Sequence, residues 1–212
     1  MKISFLGRVL APAAVALGVA VTAAPASAAS VVYDFDTLGD LELLDQQYVG
    51  LSFTNSSVYR SGAVGGSLNE LEFPPKSGDG VAVDDRGAIG ISFSQPVFSV
   101  GGYFTYFTRL SFSVFDSADV LLYSVNSAFD ANSLSSGDPG SSPNEFLSYD
   151  SSSGAIARIM IAGNPAGESF SLDNLTVDNG NTVPEPQTLW LALGLLGAGW
   201  LPRGWMRRRG VV

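Results

Sequence analysis

Residues 87–107 read GAIGISFSQPVFSVGGYFTYF. Ile89, Ile91 and Phe93 are apolar, and Gly90 and Ser92 lie between them. Period two of this kind describes a strand that buries one face, because successive side chains point to opposite sides of a sheet. Residues 109–125, RLSFSVFDSADVLLYSV, repeat the pattern at Leu110, Phe112 and Val114. Shorter β-rich runs fall at 30–38 (SVVYDFDTL), 48–55 (YVGLSFTN), 80–85 (GVAVDD), 154–163 (GAIARIMIAG) and 168–180 (ESFSLDNLTVDNG). Turn signals separate them: SQP at 94–96, DSAD at 116–119 and AGNPAGE at 162–168. The strongest helical candidate, residues 37–48, amounts to about one turn. Short strands at regular spacing, roughly eight to ten of them, predict an all-β, two-sheet, jelly-roll-like sandwich.

The last run carries a finer signal. Phe170 and Leu172 share a face, and so do Leu175 and Val177, but the second pair is out of phase with the first. One extra residue at Asp173–Asn174 restores the phase, so the spacing predicts a β-bulge there. The bulge keeps all four apolar side chains inward and turns Asp173 toward an edge or loop.

Composition narrows the chemistry. The 212 residues contain no cysteine and no histidine. That excludes a disulfide framework, His-ligated zinc and His-dependent catalytic triads. Between Ser30 and Val183 five Lys/Arg face nineteen Asp/Glu, a formal −14 that the whole-chain value of −9 conceals. Such a body repels nucleic acid and other polyanions.

The two ends differ from the body. The first 29 residues carry Lys2 and Arg8, then an apolar stretch from Val9 to Val21, then Ala26-Ser27-Ala28-Ala29. This is the layout of a secretory signal peptide cut after Ala28 or Ala29. The far end reads VPEPQTLWLALGLLGAGWLPRGWMRRR over residues 183–209. Pro184 and Pro186 hold Glu185 in an extended segment. Residues 188–206 approach the roughly 20 apolar residues that a membrane helix needs, if Arg203 snorkels. Arg203, Arg207, Arg208 and Arg209 then act as a cytoplasmic stop signal. The expected organisation is a signal peptide at 1–29, a β-sandwich at 30–178, a linker at 179–187 and a membrane helix with a basic tail at 188–212.

Val183-Pro184-Glu185-Pro186, an apolar helix and terminal arginines, in that order, resemble the PEP-CTERM sorting signal. The resemblance implies an exported protein of a Gram-negative cell envelope. It implies an exosortase partner that cuts a membrane-held intermediate, and delivery to the cell surface or an exopolysaccharide matrix. The body resembles the jelly-roll domains of PEP-CTERM proteins and carbohydrate-binding modules. It does so through Asp34-Phe35-Asp36, GLSF at 50–53, FSQPV at 93–97, VGGYF at 100–104 and LDNLTV at 172–177. Several such domains hold a structural calcium where the first and last strands meet, and here Asp34, Asp36 and Asp173 are its candidate ligands; otherwise they are capping or surface acids.

Other candidates are fewer. Tyr103, Phe104, Tyr106 and Phe107 cluster as a potential sugar platform, although alternate rings in a strand are commonly core; Tyr59, Phe73, Tyr123 and Tyr149 are scattered. All three tryptophans lie in the tail. Residues 77–87 lack the ligand spacing of an EF-hand, and residues 62–67 lack the Gly-Lys-Ser/Thr ending of a phosphate loop. Residues 133–145, SLSSGDPGSSPNE, read as a flexible surface loop. No catalytic residues are assigned. The expected function is a non-enzymatic surface or matrix protein with exopolysaccharide as partner. The alternatives are a dedicated carbohydrate-binding module and a hydrolase using a carboxylate pair.

Overall fold

The alternating runs become strands. A computed structural model describes residues 30–180, and among these it contains β1 (Val31–Tyr33), β2 (Glu42–Leu43), β3 (Leu51–Thr54), β4 (Ser56–Arg60), β5 (Gly80–Asp84), β6 (Ile89–Val97), β7 (Ser99–Tyr106), β8 (Ser111–Phe115), β9 (Leu121–Asn126), β10 (Glu145–Asp150), β11 (Ile156–Ala162) and β12 (Phe170–Asp178). One sheet has the order β10-β7-β12-β5-β4-β2, with β1 also paired to β12; the other has the order β3-β6-β11-β8-β9. All named pairs are antiparallel. The chain crosses between sheets at β2–β3, β3–β4, β5–β6, β6–β7, β7–β8, β9–β10, β10–β11 and β11–β12.

The core lies between the layers. Phe104, Tyr106, Phe170 and Leu172 of the seven-stranded sheet meet Ile91, Phe112, Ile159 and Ile161 of the five-stranded one, all fully buried. Each such side chain contributes about 1.5–3 kcal/mol by leaving water. Phe104 and Phe112 meet edge-on across the interior with centroids 6.2 Å apart.

The predicted bulge is present. β12 pairs with β7 from Phe170 to Asp173 and again from Thr176, with one extra residue between. Asn174 takes the left-handed conformation, φ 48°, which Asn adopts at less cost than most residues. Phe170, Leu172, Leu175 and Val177 all face the core. On the opposite edge of β12, β5 pairs before the bulge and β1 after it.

Four local readings change. The strands number twelve. Residues 37–48 form turns around β2 instead of a helical turn. SQP at 94–96 does not end a strand: β6 runs through it as a bulge, because Ser92 pairs with Arg158 while Val97 already pairs with Ile156. Pro96 has no N–H to give a ladder, and a bulge asks for none. Residues 133–145 are tied down: Glu72 accepts hydrogen bonds from Ser135 and Ser136, and Asn132, just before the loop, is fully buried.

Candidate ligand-binding face

The outer side of the seven-stranded sheet carries the features a ligand could use. There β10 and β7 pair Phe146 with Tyr103 and Ser148 with Gly101. The rings of Tyr103 and Phe146 lie 4.9 Å apart, tilted 46°. A Cβ on Gly101 would come within 2.7 Å of the Phe146 ring tip. Glycine at that position therefore lets the ring rest against the sheet backbone. Phe146 remains 49% exposed, a large apolar surface left in water near the start of β10. Lys76 Nζ lies 4.4 Å from the centre of the Tyr103 ring, within cation–π distance. Ring, phenol and ammonium thus sit side by side.

Lys76 is placed there by β12. The Asp173 carboxylate accepts hydrogen bonds from the main-chain N–H groups of Lys76 (2.6 Å), Ser77 (3.0 Å) and Asn174 (2.6 Å). Ser77 also donates to the Asn174 side chain at 2.9 Å. The bulge turns Asp173 into the 76–77 loop, and the loop delivers Lys76 to Tyr103. Asp173 is only 1% exposed. Burial, with a contribution from the Asp36 charge, pushes its pKa up to about 6 despite those three donors.

A second aromatic station lies on the same face. Phe73 and Phe107 meet edge-on at 4.5 Å. With Tyr59 and Leu68 they wall an open cleft of about 230 Å³, and Asn69 and Glu168 supply polar groups. Burial and then the Glu168 charge raise the Tyr59 phenol above its ordinary value.

The expected aromatic cluster divides. Phe104 and Tyr106 are core, while Tyr103 and Phe107 reach the outer face. Burial, followed by the hydrogen bond to Glu145, pushes the Tyr106 phenol up to about 12. Tyr123 and Tyr149 stack at 4.8 Å, closing the sandwich between β9 and β10. Lys76, Gly101 and Phe146 were not singled out in the sequence. The alternation of Phe146, Ser148 and Asp150 against Leu147 and Tyr149 was the available signal for β10.

The calcium candidates do not form a cation cage. Calcium takes six to eight oxygens. One Asp36 oxygen instead accepts N–H groups of Asp79 and Gly80, both at 2.8 Å, and Asp173 accepts the three described above. Asp34 is exposed and accepts the Asp36 N–H at 3.3 Å. N–H dipoles aimed at these oxygens would repel a cation. Among the described residues no three of His, Cys, Asp and Glu gather as metal ligands. The sorting residues Val183–Pro186, the tail arginines and the signal-peptide residues Ala26, Ala28 and Ala29 lie outside the described residues.

No family model matches the chain, and no curated protein matches it. Several solved domains are distantly similar. The K2 cleaved adhesin domain of Lys-gingipain aligns over 70% of this chain and 99% of its own, at 10% identity and a TM-score of 0.45. A family 29 carbohydrate-binding module from Piromyces equi aligns over 73% and 92%, at 14% identity and a TM-score of 0.37. The family 11 carbohydrate-binding module from Clostridium thermocellum, solved with a β-1,3-1,4-mixed-linked tetrasaccharide, aligns over 72% and 97%, at 10% identity and a TM-score of 0.33.

Proposed function

We propose that the sandwich is a non-catalytic carbohydrate-binding domain that takes neutral polysaccharide on the outer face of its seven-stranded sheet. The observation that carries this reading is Phe146, half exposed and seated against Gly101 beside Tyr103 and Lys76. A pyranose ring presents an apolar C–H face to an aromatic ring and hydroxyls to a phenol and an ammonium. Both kinds of partner stand together here. The formal −14 of the body opposes polyanions and favours a neutral chain. The Phe73–Phe107 cleft offers a second contact to a ligand long enough to span both stations. The buried carboxylates Asp84 and Asp173 are taken up by N–H and hydroxyl donors, which supports a binding role over a hydrolytic one. Delivery would follow the Pro184-Glu185-Pro186 signal: export, exosortase processing at the inner membrane, and release to the surface or matrix.

A glycan array followed by titration tests the reading. Wild type should bind neutral glycans, and Phe146→Ala should weaken binding by about tenfold, equivalent to ~1.4 kcal/mol, with no loss of fold. Unchanged affinity in Phe146→Ala would remove the face from consideration.

A further inference from the structure

Arg60 ends β4 at the junction of three segments. Its Nη1 donates to the main-chain carbonyls of Asp36 (2.9 Å) and Leu38 (3.0 Å), and its Nη2 pairs with the Asp79 carboxylate at 2.5 Å. The Arg60 N–H donates to Asp40 Oδ1 at 2.8 Å. Two carbonyls and a carboxylate converging from separate segments are the oxygen types a hard divalent cation collects. Here a planar guanidinium holds them through directed hydrogen bonds. The loop around it is tightly wound. Gly78 has φ 56°, and a Cβ there would fall 1.7 Å from an Asp36 carboxylate oxygen, so the chain wraps closely around that carboxylate.

We propose that Arg60 is the resident cation of this junction. Its guanidinium occupies oxygens that a divalent ion would need, and the sandwich holds its N-terminal segment and its 76–80 loop together without calcium. Asp36, whose main-chain carbonyl Arg60 takes, turns its carboxylate to the N–H groups of Asp79 and Gly80. The proposal stands independently of the carbohydrate reading, since it concerns how the domain is held together and not what the outer face binds.

Thermal unfolding of the full chain, in EDTA and in millimolar calcium chloride, tests it. Wild type should unfold at the same temperature in both, within about 1 °C. Arg60→Met, which keeps the stem and removes the charge, should unfold several degrees lower in EDTA and recover part of the loss with calcium. Arg60→Lys keeps the charge without the fork; it should fall between the two and ignore calcium. Calcium raising the wild-type midpoint would overturn the proposal, and that test needs no variant to fold. So would Arg60→Met melting like wild type, or being destabilised with no calcium response.

Discussion

Replacing Asp173 by Asn should change how stability depends on pH, by an amount the structure sets. The folded state raises this carboxyl from its ordinary 3.8 to about 6, chiefly by burial. The folded protein therefore holds the proton more tightly than the unfolded chain does. Below about pH 4 the group is protonated in both states and costs nothing. Between the two values folding takes up a proton, so stability falls as pH rises. Above about pH 6 the group is ionised in both states and the full penalty, about 3 kcal/mol, is present. Asn cannot titrate. Its amide accepts from Lys76 and Ser77 but sets an NH₂ group against the Asn174 N–H, a fixed cost of about 1–3 kcal/mol that does not vary with pH. Asp84, which burial also raises, titrates in both proteins and cancels from the comparison. The stability of Asp173→Asn relative to wild type should thus increase by about 3 kcal/mol from about pH 3.5 to about pH 7.5. For a domain of this size that is a relative shift of roughly 6–12 °C in melting temperature. Urea or thermal unfolding followed by circular dichroism at a series of pH values measures it. A constant difference would refute the reasoning. A gap that grows in wild type's favour as pH rises would mean that the three N–H donors outweigh burial and hold the carboxylate below 3.8.

Two further outcomes concern the interior, and a third variant is a surface control. Asn132 accepts from the Tyr106 N–H at 2.7 Å and donates to the Phe104 carbonyl at 3.0 Å, all buried; Asn132→Ala should cost about 2–4 kcal/mol in urea unfolding, because two main-chain groups lose their partner. Phe170→Ala should cost about 3–5 kcal/mol in the same assay, whereas Ser113→Ala, which removes the hydroxyl contact with exposed Ser124, should stay within about 0.5 kcal/mol.

Much of the sandwich was legible because a half-buried strand writes its period into the sequence. Ile89, Ile91 and Phe93 are core, as are Leu110, Phe112 and Val114. Even the bulge could be counted, because Leu172 and Leu175 can both face inward only if one residue is added between them. The binding face was less legible. Tyr103 and Tyr106 are the same residue type three positions apart, yet one lies on the outer face and the other inside, and register alone decides which. Phe146 follows a Ser/Gly/Pro loop that masks the start of β10. Lys76 reaches Tyr103 only because Asp173, 97 positions away, captures its N–H. Arg60 draws its oxygens from residues 22 and 24 positions before it and 19 after. Contacts of that span leave no periodic trace.

The most direct test of the central claim is affinity electrophoresis of wild type and Phe146→Ala through gels containing neutral or anionic polysaccharides. Wild type should be retarded by a neutral polysaccharide and not by a polyanion. Phe146→Ala should migrate almost freely while unfolding at the wild-type temperature. Equal retardation of the two proteins, or retardation of wild type only by polyanions, would contradict the account.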